Sequence, residues 1–162
     1  MQLREKSLSP LEFYRQAHAV LQIAREKGVK IIINDRVDLA LTLKADGVHL
    51  GQDDLPPETA RRILGPDAII GFSTHNLEQA QLATILPIDY VAIGPIYNTS
   101  TKATEDPPVG LNGLRLVRQT VGDLPLVAIG GVTLGNAAEL LGAGADAVAL
   151  IRDLWQTTSR PI

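Results

Sequence analysis

The chain has 162 residues, 45% hydrophobic and 20% charged, which is an ordinary globular composition with enough apolar residues for one substantial core. A net charge of -3 and a sequence pI near 5.6 leave no broad basic field for nucleic acid or an anionic membrane. With no cysteine there is neither a disulfide framework nor a thiolate nucleophile or metal ligand.

The start, MQLREKSLSP, carries charge where a signal peptide needs an apolar core, so the sequence reads as cytoplasmic. QLR counts as a first strand, and in QLREK period-two alternation places Gln2, Arg4 and Lys6 on one face of an extended strand, three polar side chains together that suit an anion. Ser9 to Lys27 reads as a helix with a serine cap, a proline at its first position and Leu11, Tyr14, Ala17, Leu21 and Ala24 at helical spacing. Gly28 ends it. Val29 to Ile33 is a strand, followed at once by Asn34 and Asp35, and Val37 to Lys44 is a short apolar helix. Gly47 to Leu50 is the next strand, leading into Gly51, Gln52, Asp53 and Asp54, with Gly51 easing the turn. Two parallel strands here bring Asp35 and Asp54 to one rim, where carboxylates either cap loops or hold a hard cation. His49 lies inside a strand and Asn34 at its end, so core and turn roles compete with binding roles.

Pro56 to Leu64 reads as a helix, Ala68 to Phe72 as a strand running into STHN, Leu77 to Leu86 as an Ala-rich helix and Asp89 to Ile93 as a strand. GPIYNTSTKATEDPPVGL is the longest irregular stretch, and its Thr99, Ser100, Thr101 and Lys102 offer hydroxyls and a cation to an anion. Helix 112–121, strand 125–129, the Gly130-Gly131 pair, helix 135–142 and strand 146–151 follow, then a C-terminal piece ending in SRPI. Runs such as KIII, YVAI, LVAI and AVALI are those of parallel strands buried on both faces. Strand–helix alternation with polar residues after nearly every strand predicts an α/β fold of the (β/α) barrel type in a single domain, residues 1–162. A barrel of this kind has eight strands; seven are recognisable here. The Gly130-Gly131 turn and the segment from Ala149 to Arg152 fall where phosphate sites are built in such barrels.

Taken in order, QLREK, INDRVDLAL, DGVHLGQDDLP, IIGFSTHN, DYVAIGPIYNTSTK, VAIGGV and GADAVALI resemble the thiamine-phosphate synthase family over essentially the whole chain. The resemblance implies a (β/α)8 barrel and a Mg2+-dependent transferase of thiamine biosynthesis. It joins hydroxymethylpyrimidine diphosphate to thiazole phosphate and releases diphosphate, with small molecules rather than nucleic acid or membrane as its partners. It further implies that Gln2, Arg4, Lys6 and Asn34 contact the diphosphate side and that Asp35 and Asp54 are Mg2+ ligands. His49 and Gly51 then line the pyrimidine pocket. Ser73, Thr99, Thr101 and Lys102 hold leaving-group or thiazole-phosphate oxygens, and Gly131 with the region of Ile151 cradles the thiazole phosphate. Arg4, Lys6, Ser73 and Lys102 are the expected catalytic groups.

Two departures matter. The family's first strand and helix have no counterpart before Met1, so a shortened barrel with open, self-associating sheet edges is expected, with a homo-oligomer as one outcome. Arg152 stands where the family has a small residue. The alternatives are a thiazole tautomerase, for which His75 is the residue to seek, and a catalytically inactive barrel acting as a binding protein.

Overall fold

The computed structural model describes residues 1–99 and 106–151. Seven strands and six helices alternate among them: β1 Gln2–Leu3, α1 Pro10–Glu26, β2 Ile32–Asn34, α2 Val37–Leu43, β3 Gly47–Leu50, α3 Pro57–Leu64, β4 Ile69–Thr74, α4 Leu77–Ala83, β5 Tyr90–Ile93, α5 Gly110–Val121, β6 Leu126–Ala128, α6 Ala137–Gly142 and β7 Ala147–Val148. The strands follow one another in the sheet in chain order, β1 to β7, and the pairings β1–β2, β2–β3, β3–β4, β5–β6 and β6–β7 are parallel. This is the α/β architecture expected from the alternation. By compactness the chain divides into one unit of residues 1–72 and 86–89 and a second made of 73–85 and the chain from 90 onward.

In the first unit, α1 opens on a reciprocal cap: Ser9 Oγ accepts the Glu12 N–H and the Glu12 carboxylate accepts the Ser9 N–H. Its buried stripe is Phe13, Ala17, Leu21 and Ala24. Leu11, expected inside, is exposed and Tyr14 is only half-buried, because the stripe runs through 13 and residue 11 lies two positions, about 200°, away from it. These side chains meet Ile31 and Ile33 of the β2 segment, Val48 and Leu50 of β3, Ile70 of β4, Val37, Leu39, Ala40 and Leu43 of α2, and Ala60 of α3. Alternation then sends Asn34 and His49 to the opposite face of the sheet, and the pairing aligns Asn34, His49 and Gly71 in one row across β2, β3 and β4.

In the second unit β5 and β6 are the buried strands, with Val91, Ile93, Leu126 and Ala128 fully enclosed, and α5 supplies Leu114, Val117 and Val121. β4 runs two residues past its expected end at Phe72, taking Ser73 and Thr74 into the ladder. The reason is on the strand itself: the wholly buried Thr74 hydroxyl donates to the Ala92 carbonyl at 2.9 Å, and the Thr74 carbonyl accepts the Gly94 N–H at 3.1 Å. β7 is shorter than the expected 146–151, covering only Ala147–Val148.

One device recurs at the strand starts. The Asp46 carboxylate accepts the Ile31 N–H at 2.7 Å while the Asp46 N–H donates to the Ile31 carbonyl at 3.0 Å. Asp89 does the same with Ile70, and Asp146 with Leu126. Arginines near the ends of the odd-numbered helices reinforce them: Arg61 of α3 pairs with Asp89 and Arg118 of α5 with Asp146, both at 2.7 Å, while Arg25 of α1 donates to the Leu43 and Lys44 carbonyls.

Candidate active site

The polar end of the first unit is built by two strand exits. Asp35, directly after β2, donates its N–H to the His49 carbonyl at 2.8 Å, which holds it beside β3. Its backbone is left-handed, φ +62°, a conformation that Asp tolerates better than most residues and that turns the chain sharply into α2. After β3, Gly51 donates its N–H to Asp54 Oδ2 at 2.7 Å, folding the loop back and returning the Asp54 carboxylate to the strand end. Gly51 eases this turn, as expected, through space rather than through a left-handed backbone. Its φ is not among the positive ones; a Cβ there would lie 3.2 Å from Asp54 Oδ2, so the glycine makes room for the carboxylate.

The structure brings Asp35, Asp54 and Lys6 together. The Lys6 ammonium is ion-paired with Asp35. The Asp54 carboxyl is pushed above its ordinary value, first by burial and also by the Asp35 side chain, while the Gly51 N–H and the Lys6 charge pull it back. Lys6 reaches this group differently from the way its spacing suggests. β1 ends at Leu3, so Gln2, Arg4 and Lys6 do not share one extended face; Lys6 comes from the segment past the strand, and all three are exposed. The early stop follows from the ladder, in which only Gln2 and Leu3 find partners, Ile32 and Ile33. Asn34 is half-buried, His49 is 7% exposed in the same row, and Asp53 is exposed.

In the second unit Ser73 is 6% exposed and Thr99 half-buried. His75 is held at three points: its N–H donates to Gln79 Oε1 at 2.7 Å, and its Nδ1 lies 2.6 Å from the Gly94 carbonyl and 3.5 Å from the Asp106 carboxylate. A carbonyl can only accept, so Nδ1 carries the proton in that bond and Nε2 is the basic nitrogen of the neutral ring. The glycine pair has a packing cause. Gly130 and Gly131 have φ of +82° and +69°, and a Cβ on Gly131 would stand 2.7 Å from Tyr97 Cβ, one on Gly130 2.7 Å from Pro95. The chain from Pro95 to Tyr97 lies directly on this turn, its Ile96 and Tyr97 N–H groups bonding the Ile129 and Gly130 carbonyls. Ile151 is exposed, and Thr101, Lys102 and Arg152 lie outside the described residues.

Residues 1–154 match the family described as thiamine monophosphate synthase. The chain is 47% identical over 154 residues to a protein of Albidiferax ferrireducens named thiamine-phosphate synthase, covering 95% of this chain and 70% of that one. This chain belongs to the thiamine monophosphate synthase family. A second relative with the same name, from Chloroflexus aurantiacus, is 46% identical over 151 residues, 93% of this chain and 69% of its own. The solved thiamine phosphate pyrophosphorylase of Pyrococcus furiosus superposes with a TM-score of 0.85 at 36% identity, covering 97% of this chain and 77% of that one. A 3-hexulose-6-phosphate synthase, 18% identical with a TM-score of 0.63, shares the fold alone.

For a thiamine monophosphate synthase family member, the ion to test against these residues is Mg2+. Among the described residues no three or more His, Cys, Asp or Glu side chains converge on a metal position. A converging pair of carboxylates, oxygen donors only, is what Mg2+ takes from a protein when waters and phosphate oxygens complete its shell. The donor set fits. The sequence reading passed over Thr74 and Asp106, and it passed over the three strand-start aspartates. For the last group the signal was present, an Asp immediately before an apolar run in ADGVHL, IDYVAI and ADAVAL.

Proposed function

We propose that this chain joins hydroxymethylpyrimidine diphosphate to thiazole phosphate, forming thiamine phosphate and diphosphate, a reading supported by relatives named thiamine-phosphate synthase. The observation that carries the reading is the convergence of Asp35, Asp54 and Lys6 after β2 and β3, a cation-and-carboxylate arrangement suited to a diphosphate. In the reaction the C–O bond to diphosphate breaks and the methylene carbon bonds to the thiazole nitrogen. The nitrogen lone pair makes the new bond, so no side-chain nucleophile is needed, and the electron-rich aminopyrimidine stabilises the carbon as the diphosphate leaves. Charge neutralisation and alignment are then the protein's main contributions.

Asp35 and Asp54 would hold Mg2+, which when bound supplies positive charge to the diphosphate oxygens. Gln2, Arg4, Lys6 and Asn34 would bind the diphosphate, and His49 and Gly51 the pyrimidine. Ser73, Thr99, Thr101 and Lys102 would bind leaving-group or thiazole-phosphate oxygens, with Gly131 and Ile151 beside the thiazole phosphate. The test is formation of thiamine phosphate from the two substrates with Mg2+, followed by chromatography and by diphosphate release. A folded chain that makes neither product overturns the proposal.

The His75 geometry favours a second reading. Held through Nδ1, with Nε2 as its base, the imidazole is set up for proton transfer, as a thiazole tautomerase requires. Isomerisation of the thiazole substrate alone, abolished by His75→Asn, would establish it; turnover that needs the pyrimidine diphosphate argues for the synthase.

A further inference from the structure

We propose that Lys6 is the resident counter-ion of the Asp35–Asp54 pair, occupying the cation's place in its absence and giving way when a divalent metal enters. The inference rests on the assignment of those two carboxylates to a metal. Its basis is a difference in rigidity among the three groups. Asp35 is fixed by its bond to the His49 carbonyl and by its left-handed backbone, and Asp54 by the Gly51 N–H at 2.7 Å. Lys6 stands on a four-carbon stem outside the β1 ladder, and its side chain is 58% exposed against 19% for Asp35. The ammonium is ion-paired with Asp35, and its charge also favours the ionised form of Asp54, so one flexible cation serves both fixed carboxyl groups. Its neighbours are arranged for that contact. The carboxylate of Glu5, its neighbour in sequence, is taken by the Ser7 N–H at 2.5 Å and the Ser7 hydroxyl at 2.6 Å. A divalent ion held by Asp35 and Asp54 would repel the ammonium, and Lys6, on its flexible stem, would be the group to move. The displaced ammonium is then available to an anionic ligand arriving with the metal, so metal entry and anion capture are linked.

The experiment is titration of the 162-residue chain with Mn2+ alone, reading free Mn2+ by electron paramagnetic resonance, with no organic ligand and no turnover. The variants are Lys6→Met, Lys6→Arg, Arg4→Met and Asp54→Asn. Arg4 carries the same charge two residues earlier, outside the ion pair, and so controls for the general field. Lys6→Met is expected to bind Mn2+ about threefold to tenfold more tightly than wild type, the range for removing a half-exposed competing charge. Lys6→Arg and Arg4→Met should stay within about twofold of wild type on the same argument. Equal tightening by Lys6→Met and Arg4→Met would reduce the effect to overall charge and overturn the inference, as would unchanged or weaker binding by Lys6→Met. A wild-type chain that binds Mn2+ no better than Asp54→Asn overturns the metal assignment itself, and this inference with it.

Discussion

Replacing Asp54 by Asn separates a metal-holding carboxylate from a loop cap, because the two roles predict opposite balances of stability and turnover. The side chain accepts the Gly51 N–H at 2.7 Å, and an Asn oxygen can keep that bond, though a neutral acceptor is weaker than a charged one by roughly 0.5–1.5 kcal/mol. Against that loss, the substitution removes a carboxyl whose ionisation is opposed by burial and by Asp35. A raised folded-state pKa means that this carboxyl favours the folded state at low pH and loses that contribution as pH rises through the unfolded and then the folded value. At neutral pH the Asn variant is spared that cost. The two effects are of similar size, so metal-free stability should change by no more than about 1 kcal/mol, a few degrees in Tm. Turnover should fall by about 10^2-fold or more, the usual consequence of losing a preorganised charge contact. Thermal melts without metal and thiamine phosphate formation at limiting Mg2+ measure the two quantities on one preparation. Full turnover at limiting Mg2+ would refute the metal role; a stability loss above about 3 kcal/mol would show that Asp54 is chiefly a structural cap.

Gly131→Ala should destabilise the chain by about 2–3 kcal/mol in urea melts, since its Cβ would meet Tyr97 at 2.7 Å with the backbone at φ +69°; a neutral result would mean that the turn relaxes freely. Asp146 is held below the usual carboxylate range by the Leu126 N–H and by Arg118, so its contribution is present above the unfolded value near 3.8 and is lost as pH falls through the lowered folded one. Asp146→Asn should therefore lower stability at pH 7 and lose less than wild type between pH 5 and pH 2, as urea midpoints across that interval will show. Lys102→Ala should lower kcat by about 10^2-fold at saturating substrates if the lysine neutralises transition-state charge, and an unchanged kcat would return it to a solvated loop.

The strand cores were legible because buried parallel strands are written as short unbroken apolar runs, and Gly47–Leu50 emerges with the bounds its sequence suggests. Asp35 was legible for a related reason, since a polar residue directly after such a run can only stand at the strand's end, and Asp54 lies in the short loop that follows β3. Periodicity was less reliable where competing apolar residues flank a stripe, as with Leu11 and Phe13, since only packing chooses between the two registers. The reach of Lys6 to Asp35 was not legible at all. Alternation assumed an extended QLREK, whereas the ladder stops at Leu3 and the contact is made across 29 residues of sequence. Thr74 hid for a similar reason, because a hydroxyl in STHN reads as loop chemistry until its acceptor, the Ala92 carbonyl, is known.

The three strand-start aspartates bear on how such a chain finds its fold. Parallel pairing is usually slow to form, since each strand must wait for a partner beyond a crossover helix. Here Ile31 meets Asp46 across 15 residues, Ile70 meets Asp89 across 19, and Leu126 meets Asp146 across 20. Each contact closes one strand–helix–strand segment on itself with a two-point lock. A one-residue slip would break both points and turn the buried faces outward, so misaligned pairings are rejected while the loop being closed is still short. The locks lie at the strand starts, which leaves the opposite ends, where Asn34 closes β2 and Asp35, Gly51 and the Gly130 turn come after their strands, free of the task of setting the alignment.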